Sequence, residues 1–281
     1  MVLKVGIAVI ACLFLWTNEG STDLLEKNCG TTKRLSRFKR VVGGQDAEIF
    51  SNPWMVILLK DLKMICGGTL ITSRFVLTAA NCDSPSKVRL GEYDRESSED
   101  CSPAGCIQRS YDVDIERLIS HSSFGKNLGD FKHDIALVKL TQEVEFSDSV
   151  RPICLLVNEQ VGRTPTSFNL TGWGKTDGSG NGGASRILQT ATLSNINLKK
   201  CIDYFGMEDL DESQICAGSS TADTCTGDSG APLTAELIYG KIPRVFQFGI
   251  ASFGAISCDG TSVYTNVTHY INWIMSTIDQ N

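Results

Sequence analysis

Short apolar and β-branched segments, separated by turn residues, recur along most of this chain. Segments of this length, bounded by glycine, proline or clustered polar residues, predict β-strands. The segments recognised in this way are 54–59, 67–72, 75–79, 87–93, 134–140, 187–193, 245–253 and 263–267. A chain made of many short strands with this punctuation is expected to form an all-β barrel or sandwich.

Two helices are predicted in addition to the strands. A C-terminal helix is predicted because apolar residues fall at i, i+3, i+4 and i+7, and Thr268 is a candidate for its N-cap. Its apolar face consists of Ile271, Ile274, Met275 and Ile278. A second, shorter helix is predicted over 198–205, with Asn197 as its cap.

The overall composition excludes several classes of protein. The chain has 281 residues, 42% of them apolar, and a formal net charge of −6. This apolar fraction suffices for a substantial core and argues against a disordered or fibrous protein. A mildly acidic chain lacks the basic face of a nucleic-acid-binding protein, so we expect no nucleic-acid partner. We also expect no membrane partner.

The N-terminus has the pattern of a secretory signal. Lys4 precedes an apolar run from Val5 to Trp16, which is too short for a comfortable membrane span. We therefore expect a signal peptide over 1–20 and a secreted, extracellular protein; a signal anchor is the alternative. Residues 21–40 are polar and basic and are interpreted as a short pro-segment, followed by one domain over 41–281.

The cysteine count fits an exported protein. Of the 11 cysteines, Cys12 lies within the predicted signal peptide, which leaves ten. An even number in an exported chain predicts five disulfides. A structural metal site is a poor alternative, because the chain has three histidines and no recurring CxxC pair.

Six short motifs then appear in a fixed order. They are RVVGG (40–44), CGGTL (66–70), VLTAANC (76–82), DIAL (134–137), TGWG (171–174) and GDSG (227–230). Together they resemble the chymotrypsin/trypsin family of serine proteases over residues 41–281. The short pro-segment and the 101–106 loop resemble the arthropod clip-type serine proteases and their non-catalytic homologues, without a clip domain. The resemblance implies two six-stranded antiparallel β-barrels and a C-terminal α-helix.

The resemblance also assigns catalytic roles. Ser229 would be the nucleophile and Asp134 the carboxylate that orients the base. The backbone N–H groups of Gly227 and Ser229 would form the oxyanion hole. The general base of the family is a histidine, and its position in this sequence is occupied by Asn81.

An asparagine amide cannot act as a general base near neutral pH, because it has no accessible proton affinity there. The three histidines elsewhere in the chain are His121, His133 and His269. His133 is next to Asp134, but neighbours on a strand point to opposite faces. We expect all three to be structural or surface residues. A sequence variant at codon 81 remains the alternative explanation of Asn81.

The resemblance places a specificity pocket around Asp223, six residues before Ser229. A carboxylate at the floor of a pocket favours Arg or Lys on the bound chain. Ser252 and Gly254 would form the pocket wall. Ser262 stands where trypsin-like enzymes usually carry glycine, and its side chain is expected to weaken binding of Arg or Lys.

The activation apparatus of the family is also recognisable. Cleavage after Arg40 would free the amine of Val41, which is expected to pair with Asp228. The residues before the cut, RFKR (37–40), resemble a furin-type site. An uncut basic linker is the alternative.

The resemblance further implies disulfide pairings and minor sites. The implied pairs are Cys66–Cys82, Cys201–Cys216, Cys225–Cys258, Cys29–Cys154 and Cys101–Cys106. No cofactor is expected. Glu92 lies where some relatives bind calcium, although a charged loop is usually only solvated. Asn169 and Asn266 begin glycosylation sequons.

These features predict a secreted trypsin-like serine protease homologue with impaired catalysis. It would be a monomeric regulatory or binding module in an extracellular proteolytic cascade. Its partners would be proteins with exposed Arg or Lys and a protease that cuts at Arg40. The alternative is an active trypsin-like endopeptidase that cleaves after Arg or Lys; a purely structural role is a third possibility.

Overall fold

The computed structural model describes residues 24–33, 44–107, 109–126, 131–157, 164–174, 183–219, 229–254 and 260–281. The strands in this part are β1 (Gln45–Asp46), β2 (Met55–Lys60), β3 (Lys63–Leu70), β4 (Phe75–Thr78), β5 (Lys87–Leu90), β6 (Asp100–Ser102), β7 (Gly105–Ile107), β8 (Tyr111–Ser120), β9 (Ala136–Leu140), β10 (Ser167–Gly172), β11 (Gln189–Ile196), β12 (Gln214–Gly218), β13 (Pro232–Tyr239), β14 (Ile242–Gly254) and β15 (Thr261–Asn266). The helices are α1 (Leu198–Phe205) and α2 (Ile271–Asp279), and a 3₁₀ turn, Val267–Tyr270, precedes α2.

The strands close into two antiparallel barrels. The first barrel has the order β2-β3-β4-β9-β8-β5 and closes where β5 pairs with β2. The second has the order β11-β10-β13-β14-β15-β12 and closes where β12 pairs with β11, while β1 adds to the outside of β11. The predicted fold, two six-stranded barrels and a C-terminal helix, is confirmed.

Alternating burial explains why a polar-looking segment such as KVRL forms a barrel strand. Val88 and Leu90 of β5 are buried, whereas Lys87 and Arg89 point outwards, as the two-residue period of a strand requires. The outward residues pair across to β8. Lys87 lies 2.6 Å from Asp114, and Arg89 lies 2.7 Å from Asp112. The Lys87 pair is exposed and the Arg89 pair is partly buried, and both help to fix the register of β5 on β8.

The helices agree with the sequence except at one cap. Helix α1 has the predicted bounds, and the Asn197 side chain accepts the Lys199 amide at 2.9 Å. The predicted cap Thr268 is wrong, because Thr268 lies inside the 3₁₀ turn. Asn266 caps that turn by accepting the Thr268 amide at 3.2 Å. Asn266, two residues before Thr268, therefore supplies the side-chain acceptor for a backbone N–H that has no partner within the first turn.

Four disulfides are formed in the described part of the chain: Cys29–Cys154, Cys66–Cys82, Cys101–Cys106 and Cys201–Cys216. The expected Cys225–Cys258 pair lies outside the described residues. The Cys29–Cys154 bridge is fully buried and attaches residues 24–33 to the core of the second barrel, where Cys154 pairs with Phe246 of β14. Within the described residues, no helix is long and apolar enough to span a membrane.

Candidate active site

The site residues lie at the seam between the two barrels. Asp134 and Asn81 come from the first barrel, and Ser252 and Ser229 from the second. Buried polar contacts join the barrels here. The Thr69 and Gln247 side chains, both fully buried, are 2.6 Å apart across the seam. Asn81 follows the end of β4, Asp134 precedes β9, Ser229 precedes β13, and Ser252 lies near the end of β14.

Asp134 is a fully buried carboxylate held by donors from both barrels. Its Oδ1 accepts the Asn81 backbone amide at 2.8 Å, and its Oδ2 accepts the Ser252 hydroxyl at 2.5 Å. The Thr265 hydroxyl donates to the Asp134 backbone carbonyl at 2.7 Å. Burial raises the pKa of Asp134, and the hydrogen bonds from Ser252, Asn81 and Ala80 oppose that rise only in part. Among the described residues, no imidazole partner offsets the cost of the buried charge.

Asn81 follows β4 on a loop that the Cys66–Cys82 bridge ties to β3. The residue is exposed, yet its side chain is oriented. Its Nδ2 donates to the Ser252 carbonyl at 3.1 Å. No hydrogen bond within the described part of the chain joins Asn81 to the Ser229 hydroxyl. A carboxamide has no basic nitrogen, so this contact cannot activate a hydroxyl group.

The turn at Ser229 is held against the first barrel by its backbone. The Ser229 carbonyl accepts the Gly67 amide at 2.9 Å, and the Gly230 amide donates to the Ala251 carbonyl at 2.9 Å. Gly230 has φ of +84°, and a Cβ there would clash with the Gly67 carbonyl oxygen and the Thr78 hydroxyl. Glycine after the serine is therefore required by both conformation and space.

The histidines are engaged elsewhere. His121 and His133 stack with ring centroids 4.7 Å apart and planes within 9°. His133 Nδ1 is 2.9 Å from the Tyr270 hydroxyl, and the exposed His269 forms a T-shaped ring contact with Tyr270. No hydrogen bond of the described residues joins a histidine side chain to Ser229 or to the Asp134 carboxylate. In the described part of the chain, none of the three histidines is therefore placed to act as the general base for Ser229.

Ser252, Gly254 and Ser262 lie close together on β14 and β15. Gly254 is paired with Ser262, and a Cβ on Gly254 would stand 3.1 Å from the Ser262 Cβ and closer still to its hydroxyl. The Ser262 side chain therefore projects over the glycine that was expected to line a pocket. Phe253, between the two wall residues, packs against Phe131 with ring centroids 4.6 Å apart.

Several predicted site residues lie outside the described part of the chain. They are Arg40, Val41, Asp223, Gly227 and Asp228. The oxyanion hole, the pocket floor and the activation pair therefore stay predictions.

The Glu92 carboxylate is buried and is already used by the protein. It accepts the Ser110 hydroxyl at 2.9 Å and the Tyr93 amide at 3.1 Å, and it lies 3.7 Å from Arg89. Burial raises the pKa of Glu92 despite these contacts. Its environment is one of internal hydrogen bonds rather than an array of free oxygen ligands.

The two sequon asparagines also take part in the fold. Asn266 Nδ2 donates to the Glu212 carbonyl at 2.8 Å. Asn169 Oδ1 accepts the Thr192 hydroxyl at 3.1 Å. Each side chain therefore has a structural contact in the protein as described.

Sequence reasoning missed three residues that support the site. Thr265 holds the Asp134 backbone, Ala80 contributes a backbone amide to the Asp134 carboxylate, and Thr78 donates to the Gly67 carbonyl at 2.8 Å. Thr78 and Ala80 belong to VLTAANC, so that motif held part of the signal. Thr265 had no local signal, because its contact spans 131 residues of sequence.

Comparison with known proteins agrees with this geometry. The family model described as Trypsin matches residues 41–274. The CLIP domain-containing serine protease HP8 of Bombyx mori is 32% identical over 94% of this chain and 76% of its own length. Phenoloxidase-activating factor 1 of Holotrichia diomphalia is 34% identical over 91% of this chain and 74% of its own. Serine protease grass of Drosophila melanogaster is 33% identical over 86% and 69%.

Solved structures show the same fold. The crystal structure of the Drosophila Grass clip serine protease of the Toll pathway superposes with a TM-score of 0.77 and 31% identity, covering 92% of this chain and 77% of that one. Neuropsin, a serine protease of mouse brain, superposes with a TM-score of 0.70 and 28% identity, covering 85% and 100%. The motifs, the two barrels and these relatives agree, and the chain belongs to the trypsin family of serine proteases.

Proposed function

We propose that this protein is a secreted trypsin-like protease homologue that lacks an effective general base. It would act as a regulatory or binding module in an extracellular proteolytic cascade. The observation that carries the proposal is Asn81, which has the backbone contact to Asp134 but directs its amide at the Ser252 carbonyl. Position 81 would therefore keep its backbone hydrogen bond to Asp134 but lack the side chain that can accept a proton.

The size of the expected defect follows from catalytic chemistry. In a protease of another fold, removing the histidine of the triad lowers kcat by roughly 10⁶-fold. Binding and the oxyanion hole alone still give a rate on the order of 10³–10⁴ over water. A residual rate of this size is too slow for processing of a protein substrate, so binding is the function left to the site.

The relatives support a partner in a protease cascade. One is named Spaetzle-processing enzyme and another phenoloxidase-activating factor 1, so both are named for acting on other proteins. By analogy, this chain would bind proteins with exposed Arg or Lys through Asp223. Ser262 over Gly254 would weaken that contact relative to an open pocket.

Activation would follow the family route. A protease cuts after Arg40, and the new amine of Val41 pairs with Asp228. The cut orders the binding surface without producing a competent protease, and the predicted signal peptide directs the protein to the extracellular space.

The test is hydrolysis of an arginyl anilide by protein cut after Arg40, with Ser229→Ala as the control. We expect no turnover above that of Ser229→Ala. The alternative function, an active endopeptidase, predicts kcat of roughly 1–10³ s⁻¹ that disappears in Ser229→Ala. A rate within about 100-fold of that range would overturn the proposal.

A further inference from the structure

A surface groove outside the candidate active site has its own charge and apolar character. It has a volume of about 800 Å³ and lies between the 142–150 segment, the Cys101–Cys106 loop and the start of β8. Two aromatic side chains in it are notably exposed, Tyr111 at 41% and Phe146 at 37%. We call it the acidic groove, defined by Tyr111, Val113, Glu143, Glu145, Phe146 and Asp148.

The negative charge of the groove is only partly neutralised. Glu143 and Glu145 are exposed and form no ion pair within the described part of the chain. Burial is the main cause that raises the pKa of the Tyr111 phenol, and the nearby Glu145 carboxylate raises it further, so Glu145 and Tyr111 lie close enough to interact. Arg109 also lines the groove and leaves one positive charge against these two carboxylates. A ligand with several cations and an apolar side chain would complement this surface.

The chain itself enters the groove at Lys33. Lys33 Nζ lies 3.0 Å from Asp148 and 5.2 Å from the centre of the Phe50 ring. The segment before it is fixed by the Cys29–Cys154 bridge and by a hydrogen bond of 2.9 Å from Arg151 to Thr31. The pro-segment is therefore anchored with its last described residue in the groove.

The next seven residues have the complementary chemistry. They read RLSRFKR (34–40), with four cations and two apolar side chains, Leu35 and Phe38. Seven residues span at most roughly 25 Å when extended. The nearest described residues on either side of this stretch are fixed, Lys33 by its ion pair with Asp148 and β1 by its pairing with β11. After the cut, residues 34–40 form a tail tethered only at Lys33.

We infer that residues 34–40 of the cut protein dock in the acidic groove, with cations on Glu143 and Glu145 and with Leu35 and Phe38 on Tyr111 and Phe146. The inference rests on the proposed cut after Arg40. Each exposed ion pair alone is weak. The tether, however, gives the tail a local concentration in the millimolar range, so weak contacts suffice. Cleavage thereby changes a second surface, covering aromatic side chains that the uncut protein exposes.

The first test measures protection of the tail. The protein is cut with a furin-type protease, and the cut is verified by mass spectrometry. It is then exposed to dilute trypsin, which cleaves the tail after Arg34, Arg37 and Lys39. We expect Glu143→Gln/Glu145→Gln to shorten the half-life of the tail at least about 3-fold, and 0.5 M salt to erase the difference. The matched control is Glu208→Gln/Asp209→Asn, which removes two exposed carboxylates elsewhere and should leave the half-life unchanged. Equal half-lives in all forms overturn the inference.

The second test measures occupancy of the groove. A labelled peptide of sequence RLSRFKR should bind the uncut protein, and bind the cut protein several-fold more weakly because the tail competes. Equal binding to both forms, or binding that the groove variant does not weaken, overturns the inference. Neither readout uses proteolytic activity of this protein. If the protein proved to be an active enzyme, the proposed function would be wrong, but the result of these two tests would not change.

Discussion

The Asn81 side chain and the Ser252 carbonyl are joined by a hydrogen bond of 3.1 Å. The same Ser252 donates its hydroxyl to Asp134, which also accepts the backbone amide of Asn81. Asn81, Asp134 and Ser252 therefore form a closed set of hydrogen bonds between the two barrels. The set satisfies these polar groups, and none of its hydrogen bonds involves an imidazole.

Replacing Asn81 by histidine should restore a measurable part of the activity. The loop, the Asp134 carboxylate and the Ser229 turn are in place, and the proton acceptor is the catalytic group that the described part of the site lacks. We expect Asn81→His, cut after Arg40, to hydrolyse an arginyl anilide faster than wild type by on the order of 10³-fold or more.

Asn81→Ala is the control for that substitution, since it removes the amide without supplying a base and should gain nothing. Ser262 over Gly254 predicts that Asn81→His/Ser262→Gly is faster than Asn81→His alone, chiefly through a lower KM. If the double variant is as inactive as Asn81→Ala, Asn81 is not the main defect.

Asp134→Asn should stabilise the protein at neutral pH. The folded-state pKa of Asp134 is raised by burial above its ordinary value of 3.8. A raised carboxyl pKa means that stability falls as pH rises from about 4 through the folded-state pKa. The carboxamide of the variant would retain the acceptor for the Asn81 amide but would not ionise. In thermal melts, we expect the Tm of the variant to match that of wild type at pH 3 and to exceed it at pH 8. The increase in Tm should be about 2–4 °C for each kcal/mol by which the free energy of unfolding rises.

Asp211 is the control, because its pKa is shifted in the opposite direction to that of Asp134. Burial opposes its ionisation, but hydrogen bonds from Ser213 and the Lys132 ion pair hold the pKa of Asp211 at about 2. Its contribution is present above about pH 4 and is lost as pH falls toward 2. Asp211→Asn should therefore lower the Tm at pH 8, modestly because the side chain is partly exposed. Loss of stability at pH 8 in Asp134→Asn as well would contradict the assignment for Asp134.

The stacked pair of histidines should make the protein acid-sensitive. Burial, and then the neighbouring His133, lower the pKa of His121 below its ordinary value of 6.5. The unfolded chain therefore binds a proton first as pH falls, and stability is lost below about pH 6.5. His121→Phe keeps the ring contact with Trp273, which is 5.3 Å between centroids, but does not titrate.

We expect the Tm of His121→Phe to fall less than that of wild type between pH 7.5 and 5. The exposed residue His269 provides the comparison, and His269→Phe should follow the wild-type curve. A parallel shift of the His121→Phe curve, without a change in slope, would show that the stack does not resist protonation.

Gly230→Ala should destabilise the fold far more than Gly206→Ala. Both glycines have positive φ, +84° and +66°, but a Cβ at Gly206 meets nothing within 4 Å whereas one at Gly230 meets Gly67 and Thr78. We expect a loss of about 1–2 kcal/mol at Gly206 from backbone strain alone. At Gly230 overpacking adds to this, for a total of about 2–5 kcal/mol. Denaturant unfolding measures both, and equal losses would mean that the Ser229 turn is not wedged against β3.

Local patterns made some elements predictable and left others hidden. Helix α1 was predicted with its cap because Asn197 and the helix it caps are adjacent in sequence. Strand β8 (YDVDIERLIS) was missed because charged residues interrupt its alternation. It forms a strand through pairing with β5 and β9, which the sequence pattern does not reveal. Register and pairing depend on contacts between distant segments.

The candidate site shows the same division. The motifs identified Asp134, Ser229 and the anomaly at Asn81, because each lies in a short fixed pattern. The bond from Asn81 to the Ser252 carbonyl joins residues 171 apart, and no local pattern encodes it. Its direction depends on how the two barrels meet, which only the folded structure defines.

The seam between the barrels has a consequence for how the protein unfolds. Thr69–Gln247, Gly67–Ser229 and Asp134–Ser252 each join one barrel to the other. Separating the barrels would expose these buried polar groups together with the apolar surface around them. Unfolding of one barrel is therefore coupled to unfolding of the other. The chain should then melt in one cooperative transition. Selection that preserves a single folding unit would then also preserve the geometry of the site, whether or not the site hydrolyses a substrate.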